Sequence, residues 1–189
     1  MKVIFLDHDG VICLMNQWGG RSKKRRQFIE KNGKAVSDMD MPVQYRFDDF
    51  DSDAITVLND ILEKTGAEIV VSSDWRKWAT VEEMGDYYEQ QGIIKKPIGY
   101  TSNIIKSDKF FSDWRTELEE TRSYEILQYL DEHPEITQWV AIDDLNMSQR
   151  VNGDTNESIW GLKNFVWTPH EDEGIKNSIA IEGIFGFLN

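Results

Sequence analysis

The chain has a single cysteine, four prolines and three histidines among its 189 residues. No apolar run approaches the roughly 20 residues that a membrane helix needs, so no membrane partner is expected. The lone Cys13 excludes an internal disulfide and a four-cysteine zinc site, and it fits a reducing, cytoplasmic setting. It reads as a small buried apolar residue. The segment from Met1 to Asp7 does not read as a signal peptide, because its apolar stretch is short and runs straight into acids. Positive charge is also in deficit. The formal net charge is −13, which repels nucleic acid over most of the surface.

Hydrophobic residues at 40% and charged residues at 29% place the chain among globular rather than disordered sequences. Its length suits a single domain, 1–189, with a small insertion. The charge is uneven. Arg21, Lys23, Lys24, Arg25, Arg26, Lys31 and Lys34 form a basic block interrupted only by Glu30, and Asp38, Asp40, Asp48, Asp49, Asp51 and Asp53 follow it.

Val3 to Leu6 is apolar on both faces and stops at Asp7, as a central strand of a parallel sheet would. Residues 13–50, broken by Gly19-Gly20 and Gly33, read as a small cap or flap insertion with one short helix around 23–31. Ser52 is a plausible cap for a helix carrying Ala54, Ile55, Leu58, Ile61 and Leu62, with Gly66 ending it. A strand over Glu68–Val71 follows. Thr80 and Glu83 make a capping box for a helix with Val81, Met84, Tyr87 and Tyr88. Residues 92–112 are irregular, with one short strand near Ile98–Tyr100. A further helix is expected to start near Thr121 and to bury Ile126, Leu127 and Leu130. Strands at Trp139–Ile142 and Phe165–Trp167 and a closing helix over 175–188 complete the chain. Strands alternating with helices imply a mainly parallel sheet covered on both faces.

Three of these strands end in polar clusters: Asp7/Asp9, Ser72/Ser73 and Asp143/Asp144. Ligands of open parallel sheets bind at the carboxyl ends of the strands, so the clusters should meet at one edge. Carboxylates gathered there repel one another, and a hard divalent cation such as Mg²⁺ offsets that repulsion.

The run Phe5-Leu6-Asp7-His8-Asp9-Gly10-Val11 resembles the first motif of the haloacid-dehalogenase (HAD) superfamily. Ile69-Val70-Val71-Ser72 is similar to the second motif, and Ala141-Ile142-Asp143-Asp144 to the fourth. Arg122 is the best match to the basic residue of the third, with Lys106 and Lys109 as rivals. Ser72-Ser73-Asp74-Trp75-Arg76, Arg122 with Glu125, and Thr168 with Gly174-Ile175 resemble more closely the HAD domains associated with RNA repair proteins.

That resemblance implies a Rossmann-like HAD fold and a phosphatase with an aspartyl-phosphate intermediate. It makes Asp7 the nucleophile and Asp9 the general acid and base, Asp9 also binding the metal through its carbonyl. Ser72 would hydrogen-bond the phosphoryl group and Arg122 would stabilise its charge. Asp143 and Asp144 would complete a Mg²⁺ site with Asp7. Gly10, with a backbone N–H near a phosphate oxygen, and Ser73 and Arg76 are further substrate-binding candidates. His8, between the two aspartates, should point away from them. The expected substrate is a nucleotide or a polynucleotide 3′-phosphate end, the basic block meeting a phosphate backbone. Another small phosphorylated metabolite, or a non-catalytic binding module on the same fold, are the alternatives. Oligomeric state is not legible.

Overall fold

A computed structural model of the chain describes residues 1–34, 36–103, 114–151 and 158–189. Its centre is a five-stranded, all-parallel sheet in the order β3-β2-β1-β4-β7. The strands are β1 (Lys2–Leu6), β2 (Glu68–Val71), β3 (Gly99–Tyr100), β4 (Gln138–Asp143) and β7 (Phe165–Trp167). An antiparallel pair, β5 (Arg150–Val151) with β6 (Ser158–Trp160), is additional and was not expected from the sequence pattern.

The period of two along β1 decides what faces what. Ile4 and Leu6 join Ile69, Val71, Val140 and Ile142 in one core cluster, while Val3 and Phe5 join Val70 and Ala141 in another. The first cluster is roofed by α2 (Ser52–Thr65), α3 (Val81–Gln91) and α5 (Ser178–Leu188). The second is roofed by α4 (Trp114–Glu132) through Ile126 and Tyr129. Helices therefore cover both faces, as a sheet buried on both sides requires.

From β1 the chain moves outward through β2 to β3, then returns to β4 on the other side of β1. The order reverses between β1 and β4, so their carboxyl ends form the switch point where doubly wound sheets bind ligands.

Several element ends differ from the sequence expectation. The cap of α2 is Asp51, whose Oδ1 accepts from the Asp53 and Ala54 N–H groups at 3.1 and 3.0 Å; Ser52 is already helical. The described part of α4 starts at Trp114, so Arg122 lies two turns inside it rather than at its start. Leu127 on that helix is 40% exposed, against the expectation that it is core. The closing helix is divided. A 3₁₀ turn at Gly174–Lys176 is followed by Asn177 at ψ 130°, whose side chain caps α5.

The insertion carries α1 (Gly20–Asn32), longer than the expected helix, followed by 3₁₀ turns at Asp38–Asp40 and Val43–Tyr45. No residue of α1 is buried. Met41, Val43, Phe47 and Phe50, by contrast, are buried and anchor the far end of the insertion to the body. No helix among the described residues is long and apolar enough to cross a membrane.

Candidate active site

Asp7 directly follows β1, and its N–H donates to the Ile142 carbonyl at 3.1 Å, which ties it to β4. It shares the strand parity of Val3 and Phe5, so its side chain belongs to the face covered by α4. That is where Arg122 comes from. One guanidinium nitrogen, Nη1, lies 3.1 Å from Asp7 Oδ1 and 2.9 Å from Asp143 Oδ2. Nη2 reaches Asp74 at 3.7 Å. Burial alone would lower the Arg122 pKa, but Asp143 and Asp7 outweigh it and hold the guanidinium more basic than usual.

Oxygens of Asp7, Asp143 and Asp144 all lie within 4.8 Å of one another. Burial, with Asp143 beside it, keeps the Asp7 carboxyl well above the ordinary range, although Arg122 works against this. Burial and then Asp143 push Asp144 up to about 7. Three crowded carboxylates, two of them buried, exceed what one guanidinium neutralises. An oxygen-only donor set of this kind fits a hard divalent cation.

Gly10 has φ +68°, which favours glycine, and a Cβ added there would stand 2.8 Å from the Asp144 Cβ. The glycine thus lets the loop after β1 lie against Asp144. The expectation that its N–H faces a phosphate is corrected, because that N–H donates to the Cys13 carbonyl at 3.0 Å. The loop is wound tightly: the N–H groups of Val11, Ile12 and Cys13 all donate to the His8 carbonyl.

Asp9 stands exposed at the mouth of the site and accepts a hydrogen bond from Trp75 Nε1 at 2.8 Å. Partial burial raises its carboxyl, and the Trp75 bond pulls it back. His8 points to the opposite face, as alternation requires, and its Nε2 meets the Tyr88 hydroxyl at 2.7 Å. Burial and then the Arg122 charge lower the imidazole to about 3, so it is neutral and structural.

Ser72 follows β2, is 1% exposed, and its hydroxyl has no protein partner among the described residues. A buried hydroxyl without a partner costs free energy unless a ligand or water satisfies it. Ser73 is engaged otherwise, capping the 3₁₀ turn Asp74–Lys77 by accepting from the Trp75 N–H at 3.4 Å. Arg76, expected to bind substrate, instead donates to Glu125 on α4 at 2.6 Å and to the Ser73 carbonyl at 3.1 Å. That buried pair locks the β2 loop to α4 and so sets the approach of Arg122. Lys106 and Lys109 lie outside the described residues.

Two residues follow the same pattern as Ser72. Thr101 after β3 and Thr168 after β7 are buried, with hydroxyls unpartnered among the described residues. Their N–H groups extend the ladder to the Val71 and Asp143 carbonyls, both at 3.0 Å. Thr168 is the threonine that the resemblance to RNA-repair HAD domains singles out. Thr101 was missed, although a polar residue directly after a short parallel strand was the available signal.

A parallel sheet with a crossover at β1/β4 and an acidic cluster at its switch point define a haloacid-dehalogenase-like α/β protein. The chain belongs to the family described as the HAD domain in Swiss Army Knife RNA repair proteins, whose model matches residues 3–163. No curated protein and no solved structure matches the chain.

Proposed function

We propose that the protein is a Mg²⁺-dependent phosphomonoesterase that acts through an aspartyl-phosphate on Asp7. The observation that carries this reading is the buried Asp7 carboxylate, held by Arg122 within reach of Asp143 and Asp144. The substrate ester would sit between Asp7, Arg122 and the unpartnered Ser72 hydroxyl. A carboxylate oxygen of Asp7 attacks phosphorus, the P–O bond to the leaving group breaks, and Asp9 gives that oxygen its proton. Asp9 then takes a proton from water, the water oxygen attacks phosphorus, and the bond to Asp7 breaks to release phosphate. Arg122 balances charge on the transferring phosphoryl group.

Asp7, Asp143, Asp144 and the Asp9 carbonyl would hold Mg²⁺. The ion would supply positive charge that keeps Asp7 ionised and screens it from the incoming phosphate.

For the substrate we favour a polynucleotide 3′-phosphate end or a nucleotide, with residues 13–50 acting as a small cap on a single domain. The support is α1. It buries no residue, and Lys24 and Arg25 pair with Asp49 and Asp38. Arg21, Lys23 and Arg26 are exposed and have no ion pair among the described residues. The helix begins near the site: the Arg21 N–H donates to Asp48 at 2.6 Å, and the charges of Arg21 and Asp48 both act on Asp9. A cationic helix beside the general acid suits a strand whose end is being processed. Family membership in an RNA-repair context points the same way.

The test replaces Lys23 and Arg26 together with glutamine, sparing Arg21 because its charge acts on Asp9, and follows Mg²⁺-dependent phosphate release. Turnover of a 3′-phosphorylated oligonucleotide should fall and lose much of its salt dependence, while that of a small aryl phosphate stays the same. An equal effect on both substrates removes the polynucleotide reading.

A further inference from the structure

Trp75 lies in the 3₁₀ turn after β2 and is 7% exposed. Its ring stacks on Phe47, with centroids 4.6 Å apart and planes at 4°, and on Phe50, at 5.4 Å and 14°. The His8 ring meets it edge-on at 4.7 Å. A ring held on three sides cannot turn, and an indole has one polar atom, a donor. That donor is fixed on Asp9 Oδ2 at 2.8 Å.

The other side chain that meets the Asp9 carboxylate is the Cys13 thiol, a weak donor. Asp9 is exposed and has no ion pair among the described residues. An aspartate so placed would sample several rotamers, yet a general acid must stand within hydrogen-bond reach of one oxygen. We infer that Trp75 is a positioning residue, which pins Asp9 by Oδ2 and leaves Oδ1 to exchange the proton with the leaving oxygen and then with water. The aromatic clamp comes from the far end of the 13–50 insertion. The insertion therefore has a second task besides meeting substrate, which is to set the general acid. This inference rests on the phosphatase reading above.

Trp75→Phe keeps a ring against Phe47 and Phe50 and removes only the N–H. With a nucleoside 3′-monophosphate, whose alkoxide must be protonated as it leaves, kcat/KM, which reports the steps up to loss of the leaving group, should fall about tenfold or more. With nitrophenyl phosphate, whose leaving group needs no proton, kcat/KM should change less than about twofold, while kcat falls where breakdown of the aspartyl-phosphate by water limits turnover. In an Asp9→Ala background, Trp75→Phe should change kcat/KM for neither ester. Equal losses of kcat/KM with both esters, or the same loss without Asp9, overturn the inference and leave Trp75 as core packing.

A second measurement does not depend on turnover. The Trp75 indole ¹H–¹⁵N resonance, assigned by its loss in Trp75→Phe, should move in Asp9→Ala and its proton should exchange faster. An unmoved resonance overturns the hydrogen bond itself. If folded wild type with Mg²⁺ releases phosphate from neither ester, the phosphatase reading fails and the role of Trp75 in it fails too. The indole resonance then still reports separately whether the bond to Asp9 exists.

Discussion

Arg122→Met is the sharpest perturbation of the charge balance in this site. Arg122 is 8% exposed and places one nitrogen 2.9 Å from Asp143 and 3.1 Å from Asp7. Methionine fills a similar volume and removes the charge. Two buried carboxylates then face each other and Asp144 without compensation. Removing one partner of a buried ion pair costs roughly 3–5 kcal/mol. For a chain of this size that corresponds to a fall in Tm of roughly 6–20 °C.

The loss should depend on pH, and its sign follows from Asp7. Its carboxyl already lies above the ordinary range, and Arg122 is what holds it down. An acid whose pKa is raised on folding stabilises the fold below its unfolded pKa. That stability disappears as pH rises through the folded value. Metal-free Arg122→Met should therefore lose more stability at about pH 8 than at about pH 5, because loss of the guanidinium raises the Asp7 carboxyl further above its ordinary range. Urea denaturation at both pH values measures this, and added Mg²⁺ should recover part of the loss at the higher pH. A cost under about 1 kcal/mol, or one equal at both pH values, would refute the reasoning.

Other outcomes follow from the same geometry. Arg76→Met should destabilise by roughly 3–5 kcal/mol because it takes the Arg76 guanidinium away from the buried Glu125 carboxylate, whereas Arg76→Met with Glu125→Leu should recover part of that in urea titrations. Gly174→Ala should destabilise far more than Gly33→Ala. Both have positive φ, but a Cβ at Gly174 would stand 2.3 Å from the Val11 carbonyl oxygen, and one at Gly33 meets nothing within 4 Å. In metal-free protein, Asp144 with its carboxyl raised from 3.8 to about 7 subtracts stability as pH climbs through that window. Asp144→Asn should flatten that part of the Tm–pH curve.

The sheet and its acidic edge were legible because apolar strands ending abruptly in polar residues leave an unambiguous pattern, as at Leu6–Asp7, Val71–Ser72 and Ile142–Asp143. The start of α4 was hidden because its buried face is charged. Glu119, Glu120, Arg122 and Glu125 are all buried there, and apolar periodicity does not register such a face. The same polarity misled the reading of Leu127. Asp51 and Ser52 are both good caps, and only the hydrogen bonds distinguish them. The distinct tasks of Ser73 and Arg76 depend on partners as distant as Glu125. That of Trp75 depends on Phe47 and Phe50 in the insertion, whose packing no local pattern encodes.

The central claim is that Asp7 is a phosphoryl acceptor dependent on a divalent cation. The most direct test is phosphate release, with and without Mg²⁺, by wild type and Asp7→Asn. The panel holds an aryl phosphate, nucleoside 3′- and 5′-monophosphates and a 3′-phosphorylated oligonucleotide. The account predicts Mg²⁺-dependent release by wild type, greatest for the oligonucleotide or a nucleotide, and none by Asp7→Asn. Release that persists in folded Asp7→Asn, or no release by folded, Mg²⁺-bound wild type from any of these esters, would contradict it.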